Sequence, residues 1–493
     1  MRVTNNMIMK NNIRNINRTK EQVSKLNDQM TSQKKITKAS ENPVIAIRSL
    51  RLRNTQSQIT QYLDNNIADA KTWIESTEDA LENIKEALND ANTQFVNGTT
   101  TTNNLSDLGT IIDSLQSLVK EVYQEANSDL NGRTLFTGFK TGQTLTFDAD
   151  DADTKFIISE NFTYKDVNTK KYYSDAESVP TTVTGNDENT SVTYANEYEF
   201  DRVRLSYNGL DNSYTPTVML GSTKQTVVSM SQADFEANLG TDGFPASGSC
   251  YYLYDTGELV INDTVKNAMK NNDQTLSITY QKEGFSKGEI RPQMYFDCTD
   301  VTDSSNPIVY TKETQNIEYT IAANTTLAVN KEGDSFLTAG FYRDVEELAE
   351  AYNAAVAAQD KVTEIQNMIN SSAYADDEDA QAYLKNVLAA AQSELDYQTD
   401  NVNNLFSAGI TSTQGYIETM ANAISDMGNK QSQLTLVTTR VTQQQSSVDS
   451  LISDNENDEL SEIVIKYTAA YNAYESALLA ASKSSGNTLL DYI

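Results

Sequence analysis

The chain contains no histidine in its 493 residues. That absence removes the most frequent general base, the Ser-His-Asp arrangements and most zinc sites. Cysteine is almost as scarce. Cys250 and Cys298 are the only two, without CxxC spacing. Two thiols and no imidazole cannot complete a structural zinc site. They form either a disulfide or two small core residues, and the second is the expectation. No apolar run approaches the ~18–20 residues of a membrane span. None of the glycines falls in GxGxxG or GxxxxGK[ST] spacing, so no phosphate cradle is expected.

Positive charge is also in short supply. The net charge of −31 argues against nucleic acid as a partner. Its placement is uneven: residues 1–60 hold twelve Lys/Arg against three acids, a net +9, which leaves −40 for the rest. Such a segment is either a solvated basic helix face or a basic end drawn to acidic neighbours. Candidate neighbours are Asp454, Glu456, Asp458, Glu459 and Glu462. The run Asp454-Asn455-Glu456-Asn457-Asp458 resembles the start of a calcium loop. It has Glu459 where such a loop needs glycine, so it reads as a solvated acidic kink. The acidic runs Asp148–Asp153 and Asp376–Asp379 carry no ligand pattern and read as loops. No catalytic, cofactor-binding or metal residue is assigned, and no enzyme activity is expected.

What the chain does have is helical periodicity at both ends. From Ile59 to Phe95 a heptad-like stripe runs without Gly or Pro. A second helix follows from Leu105 to Ala126 and stops at Asn131-Gly132. Helical stretches are expected at 345–369, 384–406 and 417–452. The heptad phase slips across Ser453–Leu460, where a kink is expected, with Ser453 and Glu456 as a capping box for a restart. The last helix carries Leu460, Val464, Tyr467, Tyr471, Tyr474, Leu478 and Ala481 in steps of 4 and 3. Its counterpart near the N-terminus is Ile13, Ile16, Val23, Leu26 and Met30. The tyrosines fit either a wet-edged core stripe within one chain or a subunit interface, and the interface is the expectation.

Five of the six prolines lie between residues 140 and 336. There the pattern changes to short alternating runs, EFDRVRLSY, YYLYDTGELVIN, TLSITYQ, EIRPQMYFDC and IEYTIAANTTLAV. The segment Asp255-Thr256-Gly257-Glu258 reads as a hairpin turn. The fold class is therefore mainly α with an inserted β domain: long paired helices from both termini form a coiled-coil-like rod or bundle. The expected divisions are 1–45 (terminal assembly segment), 46–139 (N-terminal half of the rod), 140–336 (β-rich insertion), 337–452 (C-terminal half of the rod) and 453–493 (C-terminal assembly helix). The N-terminal twenty residues have no apolar h-region and no cleavage site, which argues against a secretory signal.

Three stretches carry a resemblance: MRVTNNMI, LNDQMTSQKKITKASENPVIAIRSLRLRNTQSQITQYLDNN and NGRTLFTGFKTGQTLTF. With the ending Thr488-Leu489-Leu490-Asp491-Tyr492-Ile493, they resemble the flagellin superfamily, on the side of its hook–filament junction members. The family's Ser-Gly-Lys-Arg-Ile is replaced here by Ser32-Gln33-Lys34-Lys35-Ile36, so its tight turn is expected to be altered. The resemblance implies a structural adaptor of the bacterial flagellum, outside the cell. It implies export unfolded through the flagellar type III apparatus and termini that fold into paired helices on assembly. The implied partners are further copies in a ring, the hook-side junction protein, flagellin and a cytoplasmic export chaperone, with neither nucleic acid nor membrane among them. Flagellin itself is the alternative, and a coiled-coil adhesin a more distant one.

Overall fold

The computed structural model describes residues 5–100, 104–174, 176–183 and 185–486. The ending Thr488–Ile493 and the first four residues lie outside that set. Helices α1 (Asn5–Ser32), α2 (Pro43–Gln61), α3 (Ala68–Gly98) and α4 (Leu105–Glu125) open the chain. A π-helical turn, Tyr62–Ile67, joins α2 to α3. The β-rich part then holds three short helices, α5 (Gln232–Ala237), α6 (Asp263–Asn272) and α7 (Pro292–Tyr295). Helices α8 (Gly340–Ile369), α9 (Glu378–Glu456) and α10 (Leu460–Gly486) close it. The architecture is mainly α with an inserted β region.

Packing divides the chain into two units. One comprises the residues through Lys71, the segment Tyr319–Leu327 and the chain from Ser432 onward. The other comprises Thr72–Glu318 and Ala328–Gln431.

In the second unit, the periodic residues of α3 are buried: Ile74, Leu81, Ile84, Leu88, Ala91 and Phe95. So are Leu108, Ile112, Leu115, Val119 and Val122 of α4, and Val345, Leu348, Ala355 and Val362 of α8. Asn104 and Asp107 cap α4 reciprocally through a capping box. Phe95 and Phe406 meet edge to face at 6.2 Å between ring centroids. Each ring also lies over a glycine of the opposite helix. A Cβ on Gly409 would stand 2.3 Å from Phe95, and one on Gly98 would stand 2.2 Å from Phe406. Gly409→Ala should therefore push α3 and α9 apart and lower stability by roughly 1–3 kcal/mol in chemical denaturation.

The β region forms two larger sheets. The strands are β1 (Asp129–Leu130), β2 (Arg133–Thr134), β3 (Asp151–Phe162), β4 (Val167–Tyr173), β5 (Glu197–Arg204), β6 (Thr217–Leu220), β7 (Thr223–Lys224) and β8 (Thr226–Met230). They continue as β9 (Ser249–Leu253), β10 (Glu258–Val260), β11 (Leu276–Phe285), β12 (Asp297–Asp300), β13 (Ile308–Tyr310), β14 (Glu318–Ala322) and β15 (Thr325–Ala328). One sheet has the order β13-β12-β3-β11-β6-β7, the other β4-β5-β10-β9-β8, and β1-β2 and β14-β15 stand as hairpins. Only β8–β9 pair in parallel among the described strands. The turn between β9 and β10 needs Gly257, whose φ is +61° and whose Cβ would meet the Tyr207 carbonyl at 1.8 Å. Cys250 on β9 and Cys298 on β12 are free and buried, which makes them two core residues.

Several local expectations are corrected. Asp151–Asp153 open β3 rather than belonging to a loop. Glu378 and Asp379 begin α9, where negative charge suits the helix dipole. In EIRPQMYFDC, Pro292 starts the helical turn α7, since proline suits a first helical position better than a paired strand. The helices expected at 384–406 and 417–452 are one continuous α9. Ser453 and Glu456 form no capping box: α9 runs through both, and the chain restarts at Leu460.

A candidate assembly surface on the terminal helices

The first unit is organised around the corner where α1 ends and α10 begins. Gln33 takes a left-handed φ of +54° directly after α1. This turns the chain so that Lys34 bridges Asn457 as an antiparallel β pair. The Lys35 amide donates to the Glu456 carbonyl at 2.7 Å, and the Asp458 amide donates to that of Gln33 at 3.1 Å. Asn42 then caps α2, its Oδ1 accepting from Val44 and Ile45, with Pro43 at the first helical position.

At this turn Gln33, where the resembled family has glycine, adopts the left-handed conformation that glycine favours. A side chain there carries a strain of about 1 kcal/mol. Gln33→Gly should relieve it and raise stability by roughly 0.5–1 kcal/mol, read as a higher denaturation midpoint.

Glu456 is the electrostatic centre of the corner. Its side chain is 8% exposed. It accepts Arg53 Nε at 2.7 Å and Nη2 at 2.6 Å, a bidentate pair. Ser49 Oγ donates to the same carboxylate, and Lys34 Nζ lies 3.3 Å from it. The Arg53 hydrogen bonds, aided by Ser49 and Lys34, hold this carboxyl at about 2 against the opposing effect of burial. Gln56 Nε2 donates to Asp449 Oδ1 at 2.6 Å, tying α2 to the end of α9. Of the acids expected to draw the basic segment, Glu456 takes Lys34 and Arg53. Asp454 receives Lys35 through its backbone carbonyl, and Glu462 pairs with Lys466 on its own helix.

From this corner α1 and α10 run antiparallel and pack along each other. The α1 face toward its partner is Asn12, Ile16, Thr19, Val23, Leu26 and Met30, in steps of 4 and 3. On α10 it is Ile463, Tyr467, Ala470, Tyr474, Ala477 and Ala481, with the same steps. Among the expected interface residues, Ile16, Val23, Leu26, Met30, Tyr467 and Tyr474 lie at least partly within this seam. Ile13, Leu460, Val464, Tyr471 and Leu478 do not, and all five are more than 40% exposed.

The apolar face of α10 is three rows wide. The central row is Leu460, Tyr467, Tyr474 and Ala481. One flank, Ile463, Ala470 and Ala477, turns toward α1. The other, Val464, Tyr471 and Leu478, stays exposed. Sequence reading found the centre and the exposed flank and missed Ile463 and Ala470. The signal was present, because both flanks keep heptad spacing, but Val464, Tyr471 and Leu478 are bulkier overall. Within the pair only Leu26, Ile463 and Ala470 are buried among the described side chains. So thin a seam leaves two helices of about 28 residues poorly stabilised alone.

No group of His, Cys, Asp and Glu among the described residues is placed to hold a metal. No described helix is long and apolar enough to cross a membrane.

Comparison with known proteins finds likeness at the N-terminal end. Residues 3–141 match the family model of the bacterial flagellin N-terminal helical region. Flagellar hook-associated protein 3 of Salmonella typhimurium is 32% identical over 146 residues, 29% of this chain and 44% of the relative. The Escherichia coli K12 protein of the same name is 29% identical over 143 residues, with the same shares. The chain thus spans less than half the length of these relatives in the match. A solved structure of flagellar hook associated protein-3 from Legionella pneumophila covers 82% of this chain and 97% of its own, at 12% identity. Its TM-score is 0.30, too low for the likeness to carry any argument. Residues 3–141 are thus similar to the bacterial flagellin N-terminal helical region and, among named relatives, to flagellar hook-associated protein 3.

Proposed function

We propose that the chain is a structural adaptor of the bacterial flagellum, joining the hook to the flagellin filament. The observation that carries the reading is the face of α10: one flank covered by α1, the other bare and apolar. A helix pair with an unburied row is built to be completed by neighbours. On this reading Ile13, Leu460, Val464, Tyr471 and Leu478 meet adjoining subunits, and Ile16, Val23, Leu26, Met30, Tyr467 and Tyr474 hold the pair together. The thin seam also favours export unfolded through the flagellar type III apparatus, with a cytoplasmic chaperone holding the C-terminal region. Ordering costs on the order of 1–2 kcal/mol per residue of backbone entropy, which burial in a ring of copies offsets. The ring sits outside the cell between the hook-side junction protein and the first flagellin layer.

Electron microscopy of a deletion strain tests this. The adaptor reading expects hooks without filaments and flagellin lost to the medium; normal filaments would sink it. Flagellin remains the second reading because the matched region is common to that superfamily. Purified protein added to filament fragments separates the two, since long filament growth marks a flagellin. Removal of Ser482–Ile493 should abolish incorporation while leaving the second unit folded by circular dichroism.

A further inference from the structure

Two helices carry ridges of a single charge that find no partner among the described residues. On α1, Lys10, Arg14 and Arg18 repeat every four residues, and all three are exposed. On α3, Glu78, Glu82, Glu86 and Asp90 repeat at the same interval, the last three exposed and Glu78 half-buried. Among the described residues none of the seven takes part in an ion pair or a side-chain hydrogen bond. Like charges four residues apart weaken a helix. Burial first, and then Glu82, Asp79 and Glu75, push the Glu78 carboxyl upward, which registers that repulsion.

The ridges match in more than sign. Four residues advance about 6 Å along a helix, so the cationic ridge spans about 12 Å and the anionic one about 18 Å. Both are i±4 rows, inclined identically to their helix axes. Three cations can therefore sit against three successive carboxylates with no change of spacing.

We propose that the Lys10–Arg14–Arg18 ridge of one copy docks on the Glu78–Glu82–Glu86–Asp90 ridge of a second copy. Because the two surfaces differ, the contact is heterologous: each copy offers one ridge forward and the other backward, so copies add in series. Charge complementarity of this kind sets register and speeds encounter more than it adds affinity. The proposal rests on the assembly reading only in taking a second copy as the partner.

Sedimentation velocity of the full chain tests it, at an ionic strength well below that giving a Debye length of about 10 Å. Wild-type chain should self-associate there and dissociate as salt is raised. The α1 reversal K10E/R14E/R18E and the α3 reversal E78K/E82K/E86K should each weaken association at least about tenfold. Circular dichroism checks that both variants fold. A one-to-one mixture of the two should associate again, because each copy then meets the opposite charge on the other. A wild type that stays monomeric at low salt, reversals without effect, or a mixture that fails to recover would each overturn the proposal. Recovery only on combining both reversals in one chain would place the pairing within a copy and overturn it too. The deletion-strain phenotype is a separate readout, so failure of the ridges and failure of the adaptor reading are distinguishable.

Discussion

Glu347→Gln should destabilise the second unit by roughly 3–5 kcal/mol, with its denaturation transition shifted to markedly lower denaturant. Glu347 of α8 lies inside a six-charge cluster shared with the five-stranded sheet. Arg202 Nη2 reaches both of its oxygens at 2.7 Å, Arg204 Nη1 lies at 3.0 Å and Lys170 Nζ at 3.5 Å. Lys170 also pairs with Glu258 at 2.6 Å, Arg202 with Glu258, and Arg204 with Asp344. Tyr172 donates to Glu258 and Tyr416 to Asp344. Three cations thus face three carboxylates, nearly all sealed from water. Glutamine keeps the shape but leaves one cation in excess inside the protein, and that desolvated charge is the source of the penalty.

The cluster makes two further demands on experiment. Burial alone would raise the Glu347 carboxyl, but Arg202, Lys170 and Arg204 outweigh it and hold the group well below its ordinary 4.5. A depressed carboxyl stabilises the fold above its unfolded value and loses that contribution as pH falls. Acid unfolding of this unit should therefore begin below about pH 4.5 and be weaker in the glutamine variant. The double change Arg202→Met with Glu347→Leu leaves Lys170–Glu258 and Arg204–Asp344 as balanced pairs. It should cost less than Glu347→Gln alone. A double variant worse than the single one would mean that charge balance is not what the cluster supplies.

How much of this was legible depends on the distance over which each contact acts. The stripe through Leu81, Ile84, Leu88 and Phe95 was legible, because burial on one helix face writes its period locally. The strand-rich middle was legible from proline and alternation, and EFDRVRLSY overlaps β5 from Glu199 to Arg204. Arg202 and Arg204 in that run read only as polar positions. Their partner Glu347 lies 145 residues from Arg202, and no local pattern marks the meeting. At α10 the face was legible but its division was not. Which flank is covered depends on α1, so Val464, Tyr471 and Leu478 outweighed Ile463 and Ala470 in the sequence while the structure buries the latter. Ser453-x-x-Glu456 fits a capping box by spacing, but Arg53, 403 residues away, takes the carboxylate instead.

That carboxylate supports the second large effect. Glu456→Gln should weaken the α1–α2–α9 corner by about 1.5 kcal/mol or somewhat more. Hydrogen bonds to charged groups contribute roughly 1.5–3 kcal/mol, and Lys34 and Arg53 are themselves 40% and 59% exposed, which places the expectation at the lower end. Hydrogen exchange at the Lys35 and Asp458 amides reads the corner directly, since both amides bond across it. Each should exchange roughly tenfold faster in the variant. In the wild type the carboxyl titrates at about 2 rather than 4.5, so its contribution is whole above about pH 4.5 and fades as the pH falls toward 2. Protection at those two amides should follow that window and lose its pH dependence in Glu456→Gln. Equal protection in both proteins from pH 6 to about pH 3 would show that the turn at Gln33, not the ion pair, holds the corner. With the corner loosened, α1 and α10 lose the bridge that sets their register, so Ile463 and Ala470 should gain exchange with it while the second unit is unchanged.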